Sequence, residues 1–183
     1  IAAGGRPFGA ACAIMLPEHC EEALLRSIME QLAKKAESYK IELMAGHTEL
    51  VPTVNEPSIA VTVYGERLWE NRHKQVGEGK ELVMTKWTGL YGGAILAKER
   101  RGELLSRYPA SFIDSCAAYM EQTSLMPELE AICGMTDEQR SRIYAAHDVS
   151  NGGVFGALWQ ILNACNVGVE IPVQAIPMKQ EII

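Results

Sequence analysis

The sequence lacks the features that define several large classes of protein. Its five cysteines include no C-x-x-C pair, which disfavours a structural zinc site and a disulfide scaffold, so reduced thiols in a cytoplasmic protein are expected. Its formal net charge is -6, whereas a nucleic-acid-binding surface needs clustered lysine and arginine. Its longest apolar run, Ala10 to Leu16, is too short to span a bilayer. We therefore expect neither a nucleic-acid partner nor a membrane partner.

Nucleotide-binding fingerprints and internal repeats are also missing. No Gly-Lys-Ser/Thr follows a glycine-rich turn, which excludes a P-loop, and no dinucleotide fingerprint is present. Hydrophobic residues make up 48% and charged residues 22%, as in an ordinary globular protein of one domain or two small ones. Both ends look cut, because Ile1 to Pro7 resembles the tail of a helix and an amphipathic pattern from Met178 to Ile183 simply stops.

The first part of the chain predicts a strand, a helix and a strand in close succession. Phe8–Leu16 has the length and apolar character of a strand, Glu18–Tyr39 is amphipathic, and Ile41–Ala45 follows at once, as a parallel crossover requires. A further β-branched strand covers Ser58–Gly65. We interpret residues 1–65 as an N-terminal α+β domain with a mixed sheet and helices on one face.

The second part predicts another α+β domain. Residues 66–80 are polar and contain two glycines, so we interpret them as a linker, followed by a C-terminal domain of residues 81–183. Strands are expected in this domain at Glu81–Lys86, Arg142–Ala146 and Val167–Ile171, and helices at Ala94–Tyr108, at Pro109–Leu125 and after Gly153.

One segment, His147-Asp148-Val149-Ser150-Asn151-Gly152-Gly153, places polar side chains and two glycines between a predicted strand and a predicted helix. The unpaired amides at the start of such a helix favour a negatively charged ligand, most often phosphate. Alternatively, Asp148, Ser150 or Asn151 caps the helix and the glycines permit a tight turn. The residues alone leave both interpretations open.

The segment Trp87-Thr88-Gly89-Leu90-Tyr91-Gly92-Gly93 repeats this arrangement. Its amides are candidates for binding phosphate or substrate, with tight packing of the strand against the helix as the equal alternative.

A third polar segment, Gly46-His47-Thr48-Glu49, is expected to form a turn after the strand Ile41–Ala45. Glycine lets a backbone approach a ligand closely, and an imidazole, a hydroxyl and a carboxylate follow it directly. Hard oxygen donors suit Mg²⁺, so Glu49 is a candidate metal ligand. Alternatively, His47 is an ordinary hydrogen-bonded turn residue.

These segments occur in an order that resembles a known superfamily. They are Gly46-His47-Thr48-Glu49, Val63-Tyr64-Gly65, Glu81–Lys86 with Gly89 and Gly92 behind it, and His147–Gly153. Together they resemble aminoimidazole ribonucleotide (AIR) synthetase, selenophosphate synthetase, thiamine-monophosphate kinase and the hydrogenase-maturation carbamoyl dehydratase. Over essentially the whole chain, the sequence is most similar to the AIR synthase related proteins of the hydrogenase expression/formation type.

The resemblance implies a two-domain PurM-like fold, ATP and Mg²⁺ as cofactors, a homodimer formed through the sheets of the first domains, and activation of a substrate oxygen by phosphoryl transfer. It implies that the Gly46–Glu49 segment faces the nucleotide and that the other two segments line the cleft between domains. The implied site residues are His47 and Asp148 as catalytic residues, Glu49 as metal ligand, and Gly46, Thr48, Thr88, Gly89, Gly92, Ser150, Asn151, Gly152 and Gly153 as nucleotide or phosphate contacts.

Other function classes stay open. Several relatives have an aspartate where this chain has His47, and the family's magnesium-binding aspartates are expected before Ile1. The alternatives to an ATP-dependent enzyme are a non-catalytic dimeric binding or maturation partner of the same fold and a plain phosphate-ester binding module. The sequence does not indicate which substrate accepts the phosphoryl group.

Overall fold

The computed structural model describes every residue from 1 to 183. The chain divides into two compact units, Ala3–Trp69 together with Ile1, and Glu70–Ile183 together with Ala2. It contains one three-stranded mixed sheet and seven α-helices, which confirms the expected α+β class. None of the helices combines the length and the apolar character that crossing a bilayer requires.

The first unit is a sheet with one helix. Its strands are β1 (Gly5–Leu16), β2 (Glu42–Leu50) and β3 (Ser58–Arg67), and the helix α1 (Glu22–Ser38) connects β1 to β2. The central strand, β1, pairs in parallel with β2 and antiparallel with β3, which confirms the expected parallel crossover. Before β1, Gly4 has a φ of 89° and donates its amide to the Ile1 carbonyl oxygen in a turn, and Pro7 lies inside β1, which begins at Gly5.

A one-residue bulge decides which way the side chains of β2 point. Ala10 pairs with Leu43 but Ala11 pairs with Ala45, which leaves Met44 as the extra residue. A Cβ on Gly9 would overlap the Met44 side chain, so glycine at position 9 makes room for the bulge. Because side chains alternate along a strand, the extra residue moves every later side chain of β2 to the opposite face of the sheet.

The second unit consists mainly of helices. Its core lies between α2 and α4, where Leu90, Ala94 and Ala97 recur at helical spacing and pack with Ile113 and Cys116. Burial in this core raises the pKa of the Cys116 thiol. The helices are α2 (Leu90–Glu99), α3 (Arg101–Leu104), α4 (Ala110–Ala118), α5 (Met126–Cys133), α6 (Asp137–Arg140) and α7 (Gly153–Cys165), with short 3-10 turns at His73–Gln75, Tyr119–Gln122, Val173–Ala175 and Gln180–Ile182.

The three strands expected in this unit do not form. Glu81–Lys86, Arg142–Ala146 and Val167–Ile171 take part in no strand ladder, and the one bridge of the unit pairs Thr88 in parallel with Met178. A strand exists only where a second backbone pairs with it, and apolar sequence alone cannot supply that partner.

Two helix boundaries also differ from those expected. The helix expected from Ala94 to Tyr108 begins earlier, at Leu90, and is interrupted at Arg100, whose φ of -107° and ψ of 20° lie outside the helical region. The amphipathic pattern from Met178 yields only the 3-10 turn Gln180–Ile182.

A half-buried ion pair joins the segment before α2 to α5. Lys86 Nζ lies 2.7 Å from Glu128 Oε2 and also donates to the Ser124 carbonyl oxygen. The two side chains are only 23% and 19% exposed. Burial opposes the charge on Glu128, but hydrogen bonds from the side chains of Lys86 and Thr85 outweigh it and lower the pKa of the carboxyl.

Replacing Lys86 by methionine should therefore cost stability in a pH-dependent way. Near neutral pH we expect Lys86→Met to lower the free energy of unfolding by about 2 kcal/mol, since a buried charged acceptor loses its donor. Because the pKa of Glu128 is lower in the folded state than the unfolded value of about 4.3, its ionised carboxylate stabilises the fold above that pH. This stabilisation is lost as the pH falls. The difference from wild type in chemical denaturation should shrink below about pH 4. Lys34→Met, on an exposed part of α1, serves as control; an equal loss in both variants would contradict the role of the ion pair.

Candidate functional site

The segment Gly46–Glu49 lies inside β2 and is not a turn. It pairs with Cys12–Met15 of β1, and the expectation of a turn after Ala45 is wrong because the neighbouring strand extends the ladder as far as Leu50. In a strand, alternate side chains share a face, so His47 and Glu49 project from one face while Gly46 and Thr48 lie on the other. The imidazole, the hydroxyl and the carboxylate therefore do not converge on one point.

His47 and Glu49 form an exposed pair. His47 Nε2 lies 3.5 Å from Glu49 Oε2, and the two side chains are 71% and 59% exposed. The side chains across the ladder from His47 are Ala13 and Ala60, which are too short to cover it. Both polar groups are thus open to a ligand that approaches this face of the sheet.

Glu49 and His47 differ in how well they suit the magnesium ion expected from the sequence. Mg²⁺ prefers oxygen ligands and is often bound by one or two carboxylates together with water and substrate phosphates. Glu49 fits that pattern, whereas the imidazole of His47 suits softer metals. Nowhere does the structure gather three His, Cys, Asp or Glu side chains as a closed metal cage would require. The residues fit an ion that is held mainly by a phosphate ligand.

The helices α2 and α7 begin in the same unusual way. The residues before them, Gly89 and Gly152, have φ, ψ angles of 78°, 4° and 80°, 2°, in the left-handed region that strongly favours glycine. No side chain caps either first turn. The alternative that Asp148, Ser150 or Asn151 caps the second helix is therefore wrong.

Uncapped helix starts leave backbone donors available. Gly93 and Gly156 donate to Gly89 and Gly152, closing the first turn of each helix. The amides of Gly92, Val154 and Phe155 have no acceptor in the protein. Such donors and the positive end of the helix dipole together favour an anion at each helix start.

The start of α2 is also a packing site. A Cβ on Gly89 or Gly93 would overlap the Ile182 side chain, whereas a Cβ on Gly92 would meet nothing within 4 Å. Close packing, which the sequence left open, thus accounts for two of these three glycines. The backbone N–H of Thr88 donates to Pro177 at 2.8 Å, while its hydroxyl oxygen is buried without a partner.

The polar residues before α7 stay near the surface. His147 Nδ1 lies 2.6 Å from the Asp148 carbonyl oxygen and 3.9 Å from its carboxylate, and the Asp148 side chain is half exposed. The backbone carbonyl oxygen of Ser150 accepts a hydrogen bond from the Gly153 amide, and the residues Ser150 and Asn151 are exposed. The segment therefore presents a carboxylate, a hydroxyl and an amide next to the free helix donors.

Asn71, which lies in the expected linker, contacts this segment directly. Its Oδ1 accepts a hydrogen bond from the Ala146 amide at 3.0 Å, and its Nδ2 donates to the carbonyl oxygens of Ala146 and Ala2, both at 3.4 Å. Sequence reasoning missed it, because its partners are backbone atoms far away in the chain that leave no mark in a sequence pattern.

Arg72 explains why Arg142–Ala146 is not a strand. Its amide donates to the Tyr144 carbonyl oxygen at 2.6 Å, and its guanidinium donates to the carbonyl oxygens of Ser141 and Ile143. These bonds satisfy the acceptors that a neighbouring strand would otherwise pair.

The observed architecture defines a class of protein: a two-part α+β chain in which two helices of the second part start at glycine-rich, uncapped turns. Family models agree with this description. The model for the N-terminal domain of AIR synthase related protein matches residues 1–67, and the model for its C-terminal domain matches residues 77–183. The chain belongs to the AIR synthase related family.

Individual relatives extend the comparison. Carbamoyl dehydratase HypE of Rhodobacter capsulatus is 30% identical, a match that covers 98% of this chain and 50% of that protein. The crystal structure of E. coli HypE superimposes with a TM-score of 0.75 at 21% identity, covering 99% of this chain and 53% of that one. The structure of AaThiL complexed with AMPPCP and TMP has a TM-score of 0.76 at 19% identity, covering 98% and 54%. The chain thus spans about half the length of these relatives.

The glycines at the start of α2 should respond differently to alanine. Gly89→Ala places a Cβ in the left-handed region, which costs about 1–2 kcal/mol, and pushes it against Ile182. Gly92→Ala has open space and should be neutral or stabilise the helix by up to about 1 kcal/mol. Chemical denaturation of the two variants checks this order of stability. Equal effects would contradict a left-handed conformation at Gly89.

Proposed function

We propose that this chain forms the nucleotide-handling part of an ATP- and Mg²⁺-dependent enzyme that activates a substrate oxygen by phosphoryl transfer. One observation carries the proposal: two helices start at left-handed glycines with uncapped amides, an arrangement that suits phosphate groups. Phosphoryl transfer depends mainly on positioning and on neutralising phosphate charge, which backbone donors and a metal ion supply.

The amides of the first turns are the proposed phosphate donors. In α7 these are the free amides of Val154 and Phe155, directly after the turn of Gly152 and Gly153, with the side chains of Ser150 and Asn151 beside that turn. In α2 the proposed donors are the amides of Gly89 and Gly92, and Thr88 would contribute only through its hydroxyl, because its N–H already donates to Pro177. Ile182 already packs on Gly89, so Gly92 is the strongest candidate on that helix.

Carboxylates and an imidazole supply the remaining roles. Glu49 would hold Mg²⁺, and the ion would offset the negative charge of the phosphates. His47 would donate to a phosphate oxygen, while Gly46 and Thr48, on the opposite face of β2, would act only through the strand backbone. Asp148 would accept a hydrogen bond from the substrate oxygen that receives the phosphoryl group.

The relatives favour ATP as the nucleotide. HypE is described in complex with ATP, in a structure with a TM-score of 0.72 at 19% identity, and AaThiL with AMPPCP, an ATP analogue. HypE of R. capsulatus is a carbamoyl dehydratase. We propose the same cofactor class for this protein, with a substrate that stays unassigned.

A second candidate is a non-catalytic binding or maturation partner that keeps the fold. It is favoured by the single carboxylate at the proposed metal position, where no third ligand stands near His47 and Glu49. A complex of HypE with HypF is among the similar structures, with a TM-score of 0.68 at 21% identity. A measurement of ADP or phosphate released from bound ATP distinguishes the two candidates, because only an enzyme releases them.

We also propose a cytoplasmic homodimer. None of the five cysteines forms a disulfide, which favours a reducing compartment. The side chains of Ile59, Val61 and Val63 share one face of β3 and are 42%, 50% and 55% exposed. Contiguous exposed apolar side chains of this kind are typical of an interaction surface.

Removing the carboxylate of Glu49 should weaken nucleotide binding without unfolding the protein. Titration calorimetry of ATP with Mg²⁺ is expected to show a weaker Kd for Glu49→Gln by roughly 10-fold, which corresponds to the loss of one charged contact. Glu56→Gln, in an exposed loop, should bind as wild type does. Equal affinity in the two variants, or no heat for wild type at millimolar nucleotide, would overturn this assignment.

A charge at Val61 should disrupt the proposed dimer. Val61→Glu places a carboxylate in the centre of the exposed apolar face of β3, whereas Thr62→Glu places it on the other face of the same strand. Light scattering should report a monomer for the first variant and the wild-type mass for the second. A monomeric wild type, or a dimer in both variants, would contradict the assigned surface.

A further inference from the structure

One short stretch of chain holds both ends of the segment His147–Gly153. We call residues 71–75 the clamp. At the first end, the Asn71 amide group pairs with both backbone polar groups of Ala146, directly before His147. At the other end, α7 packs against the 3-10 turn His73–Gln75 of the clamp. A stretch that sequence patterning marks as a linker therefore contacts the chain on both sides of this segment, at Ala146 and along α7.

The segment has little else to hold it. The hydrogen bonds of residues 147–151 stay within the segment itself, from His147 to Asp148 and from Gly153 to Ser150. Its residues 147–153 are all exposed. A polar stretch of this kind moves freely unless its flanks are anchored. The anchors at Ala146 and α7 thus determine how far the carboxylate of Asp148 can move relative to the amides of Val154 and Phe155.

The chemistry of Asn71 suits this task. A carboxamide carries one acceptor and two donors and so replaces the backbone of a missing strand, pairing with the N–H and the C=O of one residue. Its second contact, to the Ala2 carbonyl oxygen, fixes the orientation of the amide plane. Aspartate would keep the acceptor, whereas alanine would remove the whole interaction.

The next residue of the clamp holds the preceding stretch in place. The Arg72 guanidinium lies 4.9 Å from the centre of the Tyr144 ring, and Lys80 Nζ lies 4.1 Å from the same centre. A hydrogen bond from Lys80 and the nearby positive charges lower the pKa of Tyr144. Hydrogen bonds to the backbone and cation–π contacts therefore act together on residues 141–146. Along the chain, the contact of Asn71 with Ala146 is the one nearest to Asp148.

We propose that Asn71 is a positioning residue, which holds Asp148 and the first-turn amides of α7 in register for an anionic ligand. Part of this inference rests on the proposed function, because the ligand in the test below is ATP. The positioning itself does not, since it is a property of the unliganded chain.

The first arm of the test is amide hydrogen exchange on the ligand-free protein, with Asn71→Ala, Asn71→Asp and, as control, Asn163→Ala on the exposed side of α7. Asn71→Ala is expected to speed exchange across residues 146–153 by at least about 5-fold, the equivalent of one lost hydrogen bond, with α4 unchanged. Asn71→Asp should restore protection at Ala146, and Asn163→Ala should match wild type. Unchanged exchange at 146–153 in Asn71→Ala, or equal acceleration in α4, would overturn the proposal.

The second arm measures the Kd of ATP with Mg²⁺ by calorimetry. Asn71→Ala should weaken binding several-fold, with partial recovery in Asn71→Asp, a pattern that general loss of stability does not produce. Faster exchange combined with wild-type affinity would refute positioning for a ligand. If wild type does not bind ATP, the proposed function fails, while the exchange arm still decides whether Asn71 holds the segment.

Discussion

The candidate site depends on a backbone constraint: two glycines in the left-handed region, Gly89 and Gly152, precede the helices α2 and α7 with nearly identical dihedral angles. A side chain at either position would be strained, and a capping side chain would occupy the donors that the first turn exposes. The same local geometry in two places turns helix ends into potential anion sites.

Local sequence features predicted much of this correctly. The strand, helix and parallel strand of the first unit follow from apolar runs and amphipathic spacing. The glycines Gly152 and Gly153 also marked the start of α7, whereas α2 begins at Leu90 and not at the expected Ala94. What failed were expectations that depend on a partner elsewhere in the chain. No strand forms at Arg142–Ala146, where Arg72 donates to backbone carbonyl oxygens. The segment at Gly46, which was expected to be a turn, is part of β2 because it pairs with β1. Pairing over long distances leaves no local pattern to read.

The face of the sheet to which each side chain of β2 points could not be predicted from the sequence either. Alternation along β2 places His47 and Glu49 on one face of the sheet and Thr48 on the other, so three polar residues that are adjacent in sequence do not share a site. The bulge at Met44 decides which face each set occupies. Likewise, a Cβ on Gly89 or Gly93 would overlap the side chain of Ile182, a packing partner far along the chain that no local pattern indicates. A polar linker proved to contain Asn71, whose side chain pairs with Ala146 as a backbone would. The candidate site was thus predicted by residue type but not by geometry.

The most direct test of the central claim is a titration of the ¹⁵N-labelled protein with ATP and Mg²⁺, followed by amide chemical shifts in NMR. The account predicts that the amides of Gly92, Val154 and Phe155 shift together and saturate at one nucleotide concentration, because they are the free donors of the two glycine-started helices. Shifts confined to other residues, or unchanged amides in both first turns at millimolar ATP, would contradict it.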